Sequence, residues 1–309
     1  MTAQDVVDLV DAQLGVPRRE VTVDEYLAGG PDQEVRGVAF TMMATLDVLR
    51  RAVDQGLDLI ISHEPLYFDH RGELDATLAA EADPVHSAKA AFVAEHRLVV
   101  RRLHDAVHDT RPDRIVEGAA HALGWEGLER TDLSEVFDIP ATTLGALAEH
   151  AARTLGAEAL RYIGDPELPV SVAGIQPGFW GFEKNRAMLA HPEVDVLLIG
   201  ESNEWETAAY AADAVSAGLP KGLIVVGHVP SEQEGMSEMA DRLAGLLPGF
   251  PVAFIPTADP FRPMSACCRA RTARGRVGGQ GPVARLLRAA PPVATVNIVR
   301  AGRMLSWCT

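Results

Sequence analysis

The chain predicts an α/β fold of two similar lobes, each a mostly parallel sheet covered by helices, with a metal site between the lobes. Short apolar runs of strand length alternate with helical segments along most of the 309 residues, which is the spacing of βαβ units. Three of the runs end in His and carboxylates: LDLIISHEPLYF at 57–68, LVVRRLHDAVHD at 98–109 and GLIVVGHVPSE at 222–232. Ligands of open α/β sheets bind at such strand ends. Asp58-Leu-Ile-Ile-Ser-His-Glu64 also repeats the pattern of Asp195-Val-Leu-Leu-Ile-Gly-Glu201, each after a helix and before a polar loop. Two related lobes would show this, although buried parallel strands resemble one another in any case.

The opening helix VVDLVDAQLG is closed by Gly15 and Pro17. EVRGVAFTM at 34–42 reads as a strand, with its apolar residues concentrated at 38–40. Thr45 caps the next helix, 45–56, in which Leu46, Leu49 and Val53 form the apolar stripe and Gly56 is the stop. The strand at 57–62 completes a βαβ unit. Pro84 divides the helix-favouring stretch Leu74–His96. A strand around Leu98–Val100 precedes His104 and His108, and Pro112 and Gly124 bracket the helix DRIVEGAAHAL. This closes a first lobe, 1–125.

WEGLERTDLSEVFDIPA is a linker or edge segment. The second lobe, 126–264, then offers a helix at 142–155, strands at 158–163 and 169–174, the turn-rich QPGFWG, helix NRAMLAH and strand VDVLLIG. Helix EWETAAYAADAVSAG, strand GLIVVG, a helix from about Ser231 to Leu247 and strand PVAFIP complete it, with GHVPSE returning to the shared site. Residues 265–309 carry eight Arg, no acid and two adjacent cysteines, and read as a basic tail, disordered or abnormal.

The net charge of −15 argues against nucleic-acid binding by phosphate neutralisation. It suits cation binding, and a plain surplus of surface carboxylates explains it equally well. No apolar stretch reaches the roughly 18 residues of a membrane span, and the N-terminus carries acids where a signal peptide is basic, so a cytoplasmic location is expected. The cysteines are Cys267, Cys268 and Cys308, so a metal bound before them is held by His and carboxylates.

His63 and Glu64 diverge from one strand end. His104 and His108 share a helix face, as do His228 and Glu232. Viewed alone, the 104–108 segment beside Arg101 and Arg102 reads more readily as a solvated polar segment; together the three strand ends suggest one centre. Such a set suits zinc, iron or manganese, and two such ions acting on a water imply hydrolysis. There is no nucleotide P-loop and no Gly-x-Ser-x-Gly nucleophile turn. Glu201 and Glu206 read as a polar helix start, and His70, His86, His96, His121, His150 and His191 as surface or capping residues.

On these motifs the chain resembles the NGG-one-interacting-factor-three-like family over about residues 35–264. DLIISHEPLYF is similar to its strand–HisHisPro–Leu–Phe motif, His104-Asp-Ala-Val-His108 to its HisThrAsnLeuAsp motif, and Gly227-His228-Val-Pro-Ser231-Glu232 to its GlyHis…SerGlu motif. ADPF at 258–261 and VDVLLIGESNEWETAAYAA extend the likeness. The resemblance implies a toroidal homohexamer with two divalent ions per chain and chemistry like that of a type-one GTP cyclohydrolase on a small molecule. A metal-stabilised hexameric scaffold or regulatory protein without turnover is the alternative.

Two positions depart from the family pattern. Glu64 stands for its second His, and His108 for an Asp that is usually a shared ligand. An imidazole offers one lone pair where a carboxylate bridges. The expected ligand set is therefore His63, Glu64, His104, His108, His228 and Glu232, with Glu64 and Glu232 bridging and Asp105 and Asp109 in reserve.

Overall fold

The computed structural model describes residues 1–262, so the expectation for 265–309 lies outside the described residues. In chain order, α1 (Ala3–Leu14), β1 (Tyr26–Ala28), β2 (Val38–Thr41), α2 (Leu46–Asp54) and β3 (Leu59–Ser62) are followed by α3 (Asp75–Ala80), α4 (Pro84–Glu95), β4 (Val99–Arg102), α5 (Asp105–Asp109) and α6 (Arg114–Ala122). Next come β5 (Val136–Thr143), α7 (Leu144–Thr154), β6 (Arg161–Ile163), β7 (Pro169–Gln176), α8 (Phe182–Ala190) and β8 (Val196–Ile199). One π-helical turn, Glu204–Ala208, leads into α9 (Ala209–Ser216), and β9 (Gly222–Val225), α10 (His228–Leu246) and β10 (Val252–Phe254) close the described chain.

The strands form two five-stranded sheets, ordered β1-β4-β3-β2-β10 and β5-β7-β8-β9-β6. Their centres are parallel, while β1, β5 and β6 are antiparallel edges. The α/β fold with helix-covered sheets is thus as expected. Every residue of β2, β3, β4 and β8 is buried; strands covered on both faces read as continuous apolar runs. VFDIPA, expected as linker or edge, lies in the edge strand β5. PVAFIP was expected in the second lobe, but β10 pairs with β2, Val252 opposite Val38, and so belongs to the first sheet.

The internal similarity has a structural counterpart. Asp58 accepts Arg36 N at 2.7 Å, and Asp195 accepts Ser171 N and Val172 N at 2.8 and 3.0 Å. Each carboxylate therefore holds the chain next to the start of the parallel strand that follows it.

Helices α6 and α10 join the lobes. Ile115 packs in the core of the first sheet together with Met236, Met239 and Leu243, whereas Val116 and Ala120 pack in the core of the second. The two helices touch at Gly118 and Gly235: a Cβ on Gly118 would lie 2.5 Å from Gly235 Cα, so only hydrogen fits there. Among the described residues no helix is long and apolar enough to cross a membrane.

Candidate metal centre

His63 follows directly on β3 and is fully buried. Ser62 fixes the turn, its Oγ accepting from Ala44 N at 3.1 Å and donating to Glu64 O at 2.8 Å. His63 Nδ1 lies 3.0 Å from Leu103 O. A carbonyl only accepts, so Nδ1 carries the proton and Nε2 keeps its lone pair. That Nε2 is buried and has no hydrogen-bond partner.

Helix α5 is too short to stand on its own, and Asp24, distant in sequence, caps it by accepting the backbone N–H groups of His104, Asp105 and Ala106 at 2.6, 2.9 and 2.8 Å. This cap presents both of its histidines. His104 Nδ1 faces Asp105 Oδ1 at 3.2 Å, and His108 Nδ1 faces Asp113 Oδ2 at 2.8 Å. Asp113 also caps α6 through Ile115 N and Val116 N. The three rings crowd together, with centroids 4.6 Å (His63–His104), 5.1 Å (His63–His108) and 4.9 Å (His104–His108) apart. Each Nδ1 thus has an acceptor, and one ligand atom from each residue lies within 4.8 Å of the others. Tying one imidazole nitrogen to an acceptor is how proteins aim the other at a metal.

The other half comes from α10, which starts at His228, a turn earlier than Ser231. The left-handed Gly227 turns the chain out of the second sheet, and Pro230 falls within the first helical turn, where its missing N–H is harmless. Ser231 Oγ donates to His228 O at 2.7 Å and accepts from Gly178 N at 3.0 Å, fastening the QPGFWG turn to the helix. His228 Nε2 lies 3.2 Å from Glu64 Oε1 and 3.1 Å from Glu232 Oε2, and Nδ1 lies 2.9 Å from Glu201 Oε1. Glu64 and Glu201, equivalent in the internal similarity, thus meet one imidazole from opposite sides. Glu232 Oε2, buried and paired with His228, also lies 3.5 Å from His63 Nε2. His63, Glu64 and Glu232 make a second group able to hold a cation.

Under Glu64 runs Arg102, which is buried. Its Nη2 donates to Glu64 Oε2 at 3.1 Å and to His70 Nδ1 at 2.9 Å, Nε to His63 O at 3.1 Å, and Nη1 to His70 O at 2.6 Å.

Burial, reinforced by the neighbouring His104 and His108, pushes the His63 pKa well below the ordinary imidazole value. Burial and His108 lower that of His104 to about 4. Both rings are neutral and ready to ligate at pH 7. For His108 burial works the same way, but the hydrogen bond and charge of Asp113 prevail and raise it. Burial likewise opposes the charge on His228, and Glu201, Glu232 and Glu64 overcome it, so this ring stands as an imidazolium. Burial would raise the Glu64 pKa; the His228 hydrogen bond and nearby imidazoles lower it instead.

All six expected residues meet here. Glu64, His104, His108, His228 and Glu232 line an open cavity of about 800 Å³ between the lobes, and His63 lies beneath it. The reserve pair also lines this cavity but is engaged with Arg19, which Asp105 and Asp109 hold at 3.0 and 2.7 Å. Sequence reasoning set aside Glu201 and His70, both of which line the cavity, and did not notice Asp24, Arg102 or Asp113. A signal existed for Glu201 in its match to Glu64. Nothing local marks Asp24, whose partners are eighty residues away.

Comparison with known proteins agrees with this fold. Residues 1–260 match the family model Duf34/NIF3 (NGG1p interacting factor 3), and the chain belongs to that family. Staphylococcus aureus protein SA1388 is 16% identical with a TM-score of 0.67, covering 85% of this chain and 99% of its own. A Bacillus cereus protein related to NIF3 is 14% identical, with a TM-score of 0.66 and the same coverage. Reduced HcgD from Methanocaldococcus jannaschii is 14% identical, with a TM-score of 0.58 over 84% of this chain and 98% of that one. At such identities the likeness speaks for the fold alone. No curated protein sequence matches the chain.

Proposed function

We propose that this member of the Duf34/NIF3 family is a metal-dependent enzyme of hydrolase type, acting on a small molecule in the cavity between its lobes. The observation that carries the reading is the buried lone-pair nitrogen His63 Nε2, without a hydrogen bond, at the floor of that cavity, grouped with ligand atoms of His104 and His108. An unpaired buried polar atom is costly, and a divalent cation would satisfy it. His63, His104 and His108 would hold the ion. Bound there, zinc, iron or manganese would supply an activated water and polarise a substrate oxygen.

The chain's own residues would do the rest. Glu232 Oε2 faces the same space as His63 Nε2 and is placed to accept a proton from water. His228, charged and tied to Glu232, Glu64 and Glu201, orients Glu232 and offers positive charge at the cavity wall. Trp180, with Lys184 4.8 Å over its ring, and Arg111 at the cavity edge suit a flat or anionic substrate. The resemblance adds a cyclohydrolase-like reaction, two ions per chain, a cytoplasmic homohexamer and the non-catalytic scaffold as the alternative.

Nucleotides, cyclic amides and phosphoesters, each assayed with added zinc, iron or manganese, test the reading. Turnover that disappears in Glu232→Gln and His228→Ala while folding is retained supports an enzyme. A metal-loaded hexamer by light scattering that turns over none of them favours the scaffold.

A further inference from the structure

We infer that this chain holds one divalent ion, on His63, His104 and His108, and that the buried Arg102 takes by charge the place of the second ion that the family resemblance implies. The inference rests on the metal-centre reading and narrows it.

Donor counting is the first argument. The two groups able to hold a cation, His63–His104–His108 and His63–Glu64–Glu232, share His63. That ring has spent Nδ1 on Leu103 O, so one lone pair remains for both groups. An imidazole nitrogen serves one ion. Given to the histidine set, it completes three imidazole donors, each fixed from behind by its own acceptor. Given to the other set, it strands His104 and His108, whose rings already face it.

The state of the remaining donors is the second argument. Without His63 the second group shrinks to Glu64 and Glu232, and both oxygens of Glu64 are engaged, Oε2 by Arg102 and Oε1 by His228. A ligating histidine can shed its proton to admit a metal; a guanidinium cannot. Nor can Arg102 swing away cheaply, because His63 O, His70 O and His70 Nδ1 hold it inside the protein. His228 has a carboxylate on each nitrogen, at 3.2 and 2.9 Å, so both nitrogens are engaged.

Charge is the third. Arg102 already answers the Glu64 carboxylate at 3.1 Å, so a second ion at Glu64 would sit beside a guanidinium that cannot lose its proton and be repelled by it. Glu64 and His108 are thus one coordinated departure: the glutamate receives an internal cation, and the histidine completes a three-imidazole site.

The test uses the full chain, stripped with chelator, reloaded with Co(II) or Zn(II) and desalted, with metal per chain read by mass spectrometry and the Co(II) visible spectrum recorded. One equivalent is expected in the wild type, and the same equivalent with an unchanged spectrum in Glu64→Gln, since Glu64 is not a ligand. His104→Ala and His108→Ala should each weaken binding at least tenfold. Two equivalents in the wild type, or loss of the ion or a shifted spectrum in Glu64→Gln, overturns the inference while leaving a metal centre in place. No bound metal under any loading condition overturns both readings. Should Glu64→Gln fail to fold, Glu64→Asp, which keeps the charge but withdraws the oxygens, gives the same discrimination.

Discussion

Replacing Arg102 by Met removes the guanidinium and retains most of the apolar stem. Arg102 is 1% exposed and makes four donor contacts, two to backbone carbonyls, one to His70 and one to the Glu64 carboxylate. Its loss leaves the half-buried Glu64 with only His228 as cationic partner. Breaking one side of a buried ion pair costs about 3–5 kcal/mol, because the other charge remains out of water. Two carbonyls also lose a donor, so the expectation lies at the upper end of that range. Removing both charges in Arg102→Met/Glu64→Gln should be much less harmful than the sum of the single changes, with a coupling energy of about 1–3 kcal/mol. The assay is urea unfolding at pH 7 with chelator present, for the wild type, both single variants and the double variant. A cost below about 1 kcal/mol for Arg102→Met, the level of an exposed pair, or strict additivity in the double variant, would refute the claim that Arg102 serves as an internal counter-ion.

Lowering the pH of the metal-free protein should expose the depressed His104. Between the ordinary imidazole value of 6.5 and about 4 the unfolded chain binds a proton that the folded one refuses, so stability falls with pH by up to about 3 kcal/mol, and above that window the group contributes nothing. His104→Gln should flatten that part of the stability profile, and an identical slope in both proteins would count against it. Gly178→Ala places a methyl against the Glu232 carboxylate at a left-handed backbone position. Folding should weaken by about 1–3 kcal/mol while the histidines still bind metal; a crystal structure with Glu232 unmoved would contradict this. Gly235→Ala puts a Cβ 2.8 Å from Ile115 Cα, at the contact of α6 with α10. Separating these helices should cost about 1–3 kcal/mol of stability in chemical denaturation, and a neutral result would mean that the contact has slack.

Much of the architecture is legible in local pattern. The apolar runs of β2, β3, β4 and β8 are continuous because both faces of each strand are covered, and Thr45 and Gly15 sit at the helix ends where their chemistry belongs. The six residues brought together at the cavity were selected from strand ends and four-residue spacings, signals carried within a dozen positions of sequence. Three short motifs were enough to pick out six residues that share one cavity.

Which partners those residues meet was decided by contacts that no local pattern encodes. Arg102 looks like a solvated strand residue in sequence, yet β4 lies inside the first sheet, and its side chain finds Glu64 only because β3 and β4 run parallel in register, Ser62 opposite Arg102. Asp24 caps α5 from eighty residues away, and β10 returns to pair with β2 after the whole second sheet has been built. Periodicity reports which side of an element is buried. It does not say which distant charge waits there, and for Glu64 that charge is Arg102, 3.1 Å away.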